Sequence, residues 1–327
     1  MKDSNQIHRL AHISPEIVAG VSAFCCLGLA PGLTWFDAGE LMAASAELGI
    51  THPPGMPIFA MIHKAVSLIV PMGDIAFRGN LASALLSAIA VALACRIGLR
   101  LGAGVLPAAI GAFAAVMSPL FLLHTTAVEV YSGLALLTFW SLDLVLAGHA
   151  TKDRRHWVAA ALVLGLGIGG HHSEIRLFSI LLMLPILLRY RQLRVWTSMA
   201  LAGITGVMVA LYLPIRSLQE PWRNWGDPSN FSNMWDHLWG ARIRAAYGEQ
   251  MGQLDWTTVT QFSEQVATST PILFSLGMVG LILAVRKHAG WLPLAIDLLD
   301  ILYSILVNPM GVRDQQNGLI TVILCGV

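Results

Sequence analysis

The stretch VLPAAIGAFAAVMSPLFLL, Val105–Leu123, runs for nineteen residues without a charge. About twenty apolar residues are what a helix needs to cross the hydrocarbon core of a bilayer. Outward from it, similar runs recur along the chain. Ile17–Leu33, Phe77–Ile97, Val130–Ala147, Trp157–Gly170, Leu177–Leu188, Trp196–Ile215, Thr270–Val285 and Trp291–Val307 read as further spans, and a tenth begins near Leu319. Of the 327 residues, 56% are hydrophobic and only 12% are charged. The expected fold class is therefore all-α, a polytopic bundle of transmembrane helices. Trp157–Gly170 and Leu177–Leu188 are short for a full crossing, so that hairpin either extends through its polar turn or is re-entrant. The apolar run that stops at Val327 reads as the edge of a fragment, with residues 1–327 forming one domain.

Cytoplasmic loops collect Lys and Arg. Placing the N-terminus inside puts twelve of the twenty basic residues in the cytoplasm, including Arg96, Arg100, Lys152, Arg154, Arg155, Arg189, Arg191 and Arg194. Thirteen of the nineteen acids then fall outside. The expected localisation is an integral, multi-pass membrane protein with its site facing outward, in the inner membrane if the source is bacterial. A net charge of +1 offers no basic face for nucleic acid. Cys25, Cys26, Cys95 and Cys325 lie within or at the ends of apolar runs and lack zinc-site spacing, which argues against disulfides and metal thiolates. The first run has no clear small-residue cleavage site and reads as a retained signal anchor.

Two outer loops hold most of the polar chemistry. In the first, 34–76, Asp37–Gly49 has helix-forming composition, Pro53-Pro54-Gly55 breaks it, and Pro57–Val70 resumes as an amphipathic helix. Two interfacial helices lying along the outer membrane face fit this pattern. The second loop, 216–269, carries Trp222, Trp225, Trp235, Trp239 and Trp256, which suit headgroup depth.

Asp37 and Glu40 stand three residues apart, on one helical face. Helix capping is the plain explanation, with Asp37 as N-cap and Glu40 as its N3 partner. Carboxylates at a membrane border are also expensive unless water or a substrate meets them, which makes them candidate catalytic groups. His52 before two prolines and Gly55 is first a rigid turn. Glu129 and Tyr131 open an expected span from outside. Gly169-Gly170-His171-His172-Ser173-Glu174 places two imidazoles and a carboxylate at an outer turn, where hydrogen bonding to a polar substrate fits better than a preformed metal site. Arg216 ends a span at the interface, either snorkelling or holding a lipid phosphate. Asp143, Asp297 and Asp300 lie inside expected spans and could mark an ion path, the main argument for a transporter or flippase of a lipid-linked glycan.

Together, Phe36-Asp37-Ala38-Gly39-Glu40-Leu41, Thr51-His52-Pro53-Pro54-Gly55-Met56-Pro57, Val128-Glu129-Val130-Tyr131, the outer histidines, Leu213-Pro214-Ile215-Arg216 and Asn224-Trp225-Gly226-Asp227-Pro228 follow a familiar order. The chain resembles a bacterial membrane family related to transmembrane protein 260, a protein O-mannosyltransferase. The resemblance implies a GT-C-type glycosyltransferase with an outward-facing active site and a polyprenyl-phosphate sugar donor. By motif position it gives the general-base role to Asp37 and that of second acid to Glu40. A carboxylate for the attacking hydroxyl and an arginine for the departing phosphate suit such chemistry. On this reading Arg216 takes the donor phosphate, and His52, Glu129, Tyr131, His171, His172, Asn224 and Asp227 line the substrate site. These residues are expected to share one outer cavity. No organic cofactor is implied, a divalent metal is left open, and the acceptor is a protein, lipid or glycan hydroxyl.

Overall fold

The computed structural model describes residues 16–34, 36–170, 173–269, 271–287 and 289–327. Among them the chain is helical throughout, without strands; the one extended pairing is an isolated parallel bridge between Ile50 and Asn224. In chain order the helices are α1 (Glu16–Leu27), α2 (Ala38–Glu47), α3 (Pro57–Ile69), α4 (Ile75–Arg100), α5 (Val105–Val116), α6 (Pro119–Thr125), α7 (Tyr131–Thr151) and α8 (Arg154–Gly170). There follow α9 (Ile175–Arg189), α10 (Leu193–Val207), α11 (Tyr212–Ser217), α12 (Phe231–Leu238), α13 (Ala241–Tyr247), α14 (Trp256–Ser269), α15 (Pro271–Ala284), α16 (Trp291–Leu302), α17 (Pro309–Arg313) and α18 (Leu319–Gly326).

Among the described residues, three helical stretches are long and apolar enough to cross a membrane: α4, α7 and the continuous run Leu193–Ser217 through α10 and α11. Counting each bent helix pair as one span raises the total to five. This revises the reading of nine spans and the start of a tenth. Val105–Leu123 is not straight, for α5 and α6 meet at 71°. Ser118 accepts the Phe121 N–H at 3.2 Å and Pro119 opens α6, so a new helix starts where the old one ends. The first run stops being helical at Leu27, before Pro31-Gly32.

The core is a sandwich of α4, α7, α8 and α10. α8 lies against α10 backbone to backbone: a Cβ at Gly165 would strike the Gly203 carbonyl, and one at Gly206 the Leu162 carbonyl. Small residues allow this approach, and dispersion across the seam replaces the hydrophobic drive that lipid cannot supply. On its other side α10 leaves Leu201 and Ile204 exposed, as a lipid-facing helix would.

α2 and α3 form where the loop composition places them, and Leu41 and Phe59 are fully buried. α3 packs against α4 and α8, and α2 against α3 and α4. That packing brings the first polar loop over the ends of the long helices.

Candidate active site

Asp37 occupies the position before α2, yet its side chain makes no capping bond; its carbonyl alone accepts the Leu41 N–H, at 2.8 Å. Glu40, in the first turn, is engaged elsewhere. Its Oε1 accepts the His52 backbone N–H at 2.7 Å and its Oε2 lies 3.2 Å from His52 Nδ1. His52 Nε2 lies 3.9 Å from Asp37 Oδ2. The imidazole therefore sits between two carboxylates. Burial alone would lift Glu40, but the His52 hydrogen bond and charge hold it below the ordinary carboxylate range. Burial would lower His52, and the Glu40 hydrogen bond with the charges of Asp37 and Glu40 raises it instead. Capping, the plain reading of Asp37 and Glu40, is not what their side chains do.

The loop that carries His52 is fastened from the far side of the sequence. Gly55 has φ +92°, and a Cβ there would lie 2.6 Å from Leu213 Cδ2 and 2.9 Å from His237 Nε2. Only glycine combines this left-handed backbone with so close an approach. Ile50 N–H donates to the Arg223 carbonyl at 2.7 Å, and Tyr212 OH to the Gly49 carbonyl at 2.9 Å.

Asp37, Glu40 and His52 line a cavity of about 640 Å³ together with Glu129, Tyr131, Arg176, Arg244, Trp239, Tyr303 and Gln316. Glu129, 6% exposed, precedes α7. Its carboxyl is pushed up to about 8, first by burial and then by the charge of Asp37. Arg176 stacks over Trp239 at 4.6 Å and donates to the Leu238 carbonyl, while Arg244 donates to the Trp239 carbonyl. Ser173 and Tyr303 hydroxyls share a hydrogen bond of 2.6 Å on the same lining. Asp37, Glu40 and His52 each offer one ligand atom, all within 4.8 Å of one another, so these three side chains could hold a divalent cation. Sequence spacing gave no hint of that group, because His52 joins the acids only through the turn.

Several expected site residues lie elsewhere. Arg216 does not line the cavity: Nε and Nη2 donate to the Leu48 and Glu47 carbonyls at 2.7 and 2.8 Å, closing the C-terminal end of α2, and Nη1 donates to Gln219. Asn224 and Asp227 are joined through Ser217 Oγ, 2.9 and 2.8 Å away, and shape the loop that follows α11. Their neighbour Trp225 reaches the lining. His171 and His172 lie outside the described residues. Arg244 lies in the same loop as Arg216, whose arginines the sequence offers as alternatives for the phosphate, whereas Arg176 is the cation that the sequence reading passed over, because it sits at the head of an apolar run.

The membrane aspartates divide. Asp143 is paired with Arg96 at 3.0 Å and Arg100 at 2.6 Å, twelve residues beyond Tyr131 and thus about 18 Å along α7 from the cavity. Asp300 accepts the Thr321 N–H and hydroxyl, at 3.0 and 2.7 Å. An ion path through all three aspartates is not what these contacts build, since Asp143 is tied into a closed ion cluster.

The fold and the cavity define a helical protein of membrane type whose polar cleft combines carboxylates, an imidazole and arginines. The comparisons specify it further. The family model described as the protein O-mannosyl-transferase TMEM260 N-terminal domain matches residues 37–194. Mouse (Mus musculus) protein O-mannosyl-transferase TMEM260 is 30% identical over 250 residues, covering 72% of this chain and 34% of the relative. The chain is related to TMEM260 and spans about a third of the length of that curated relative. No solved structure matches it.

Proposed function

We propose that the chain carries the reaction centre of a membrane glycosyltransferase of the GT-C type, moving a sugar from a polyprenyl-phosphate donor to an acceptor hydroxyl. The observation behind this reading is one cavity holding Asp37, Glu40 and His52 together with Arg176 and Arg244, in a chain related to a protein O-mannosyl-transferase. Mannose as the sugar and a protein hydroxyl as the acceptor come from that relative's name.

In this mechanism Asp37 accepts the proton of the acceptor hydroxyl as its oxygen bonds to the anomeric carbon. The bond from that carbon to the phosphate oxygen breaks, its electrons leave with the phosphate, and the configuration inverts. Glu40 orients His52, and His52 in turn faces Asp37. The departing phosphate gains charge, which the guanidinium groups of Arg176 and Arg244 stabilise in place of Arg216. The cavity faces the non-cytoplasmic side of a multi-pass membrane protein.

Incubation of the purified protein with labelled polyprenyl-phosphate sugars tests this reading. Release of free polyprenyl phosphate, lost in Asp37→Asn, is the expected result. A protein that turns over none of them, with or without a hydroxyl acceptor, is not this transferase.

A further inference from the structure

Away from the reaction cavity lies a second polar pocket, of about 550 Å³, bounded by α6, α14 and the end of α17. Among the described residues, it shares no lining with the large cavity. Gln261, Glu264 and Thr268, three and four residues apart on one face of α14, form one wall, and Arg313 belongs to the opposite one. Gln265 Nε2 donates to the Asn317 carbonyl at 3.0 Å, which ties α14 to the segment after α17 and holds the two walls together. The α6 side, with Leu120 and Leu123, is apolar.

The pocket carries one charge of each sign. Glu264 and Arg313 are exposed, and neither has an ion-pair partner among the described residues. A phosphate alone would be repelled by Glu264, and an amine alone by Arg313. A zwitterion satisfies both.

Two apolar tracks begin at this pocket. α5 ends at its Pro119 wall, and α15 follows its α14 wall. The two helices pack on α18 and run antiparallel, for a Cβ at Gly102, just before α5, would lie 3.6 Å from Lys287 Nζ, just beyond α15. Leu106, Ile110 and Phe113 on α5 and Leu276, Val279 and Leu283 on α15 are exposed at helical spacing, so each helix carries an apolar stripe away from the pocket. A peptide or a glycan has no use for two such stripes, and a single isoprenoid chain on a phosphate brings no cation to Glu264.

We propose that this pocket is a specific phospholipid site, taking a headgroup that carries a phosphate and a primary amine. Arg313 holds the phosphate, Glu264 accepts from the ammonium, and the two acyl chains lie along α5 and α15. A choline headgroup has no N–H to donate to Glu264, and a glycerol headgroup brings the anion without the cation. The assignment is independent of the transferase reading. Arg313 and Gln315 line this pocket while Asp314 and Gln316 line the large cavity, so the lipid backs one wall of the reaction centre.

The test is native mass spectrometry of the purified, delipidated protein in detergent micelles, titrated with phosphatidylethanolamine, phosphatidylcholine and phosphatidylglycerol of identical acyl chains. Wild type should bind the ethanolamine lipid about tenfold or more tighter than the other two. Glu264→Gln should bring it down to the choline level, and Arg313→Gln should weaken it by about tenfold. Equal binding of all three lipids means annular lipid only and overturns the proposal, as does a preference for phosphatidylglycerol. An ethanolamine preference that survives both variants places the lipid elsewhere and overturns it too. The two residues are exposed and lie on different helices, so either variant decides the matter if the other fails to fold.

Discussion

His52 and Glu40 are joined twice, through the His52 backbone N–H to Oε1 at 2.7 Å and through Nδ1 at 3.2 Å from Oε2. Two contacts to one carboxylate fix both the loop and the ring, which leaves Nε2 turned to Asp37. The carboxylate at the start of α2 thereby gains a neighbour twelve residues past Glu40 in sequence, and three groups become one unit.

Asp37→Asn keeps the size of the side chain and most of its hydrogen bonding while removing the base. Turnover of polyprenyl-phosphate sugar should fall by a factor on the order of 10²–10⁴. The melting temperature should stay within a few degrees of wild type, because the Asp37 side chain makes no capping bond. Undiminished turnover would remove Asp37 from the chemistry.

The Glu40 and His52 pair should give stability a pH window. Glu40 is lowered from its ordinary 4.5, so its contribution is present above that pH and lost as the pH falls through the lowered value. His52 is raised from 6.5, so its contribution is present below that pH and lost as the pH rises through the raised value. The melting temperature of wild type minus that of His52→Ala should be largest between about pH 4.5 and 6.5. A difference that does not vary with pH would mean that the pair carries no charge.

Glu129 acts in the opposite sense. With its carboxyl raised from 4.5 to about 8, wild type loses stability as the pH climbs through that interval, because ionising the buried group is costly. Glu129→Gln has no such group. Thermal melts should show the variant gaining on wild type from about pH 4.5 upwards, by more than about 1 kcal/mol at pH 8 and above, a single pKa unit being worth 1.36 kcal/mol. Parallel curves would place Glu129 in water.

Arg176 and Arg216 should separate binding from folding. Arg176→Ala should raise the donor KM by roughly 10- to 100-fold, the cost of one charge-assisted phosphate contact. Arg216→Ala should leave the donor KM within about threefold but lower stability by roughly 1–2 kcal/mol, since the carbonyls of Glu47 and Leu48 lose their donor. The reverse pattern would return the phosphate role to Arg216.

Asp143→Ala should destabilise by about 3–5 kcal/mol, because Arg96 and Arg100 would be left facing each other without the buried acid between them. Chemical denaturation in detergent measures it. A variant as stable as wild type that loses function would revive an ion path at this residue.

The sequence by itself determined the helical class, because long apolar runs in a lipid solvent leave the backbone only helices in which to satisfy its hydrogen bonds. It also placed α2, α3 and the break between them, where Pro53, Pro54 and Gly55 fix the turn. Asp37 and Glu40 could be read as candidate site residues from their position beside an apolar run, and His52, Glu129 and Tyr131 through the family resemblance; all five line one cavity. The tertiary structure alone decided which cations join them. Arg216 and Arg176 both flank apolar runs and look alike in sequence. Yet the end of α2 offers unpaired carbonyls to one guanidinium, while Trp239, 63 residues further on, positions the other over the cavity. The bend at Ser118 and the pairing of Asp143 with two arginines of α4 were equally beyond local reading. Hydropathy measures how apolar a run is, but whether it runs straight and which charges meet across helices depends on contacts between residues far apart in the chain.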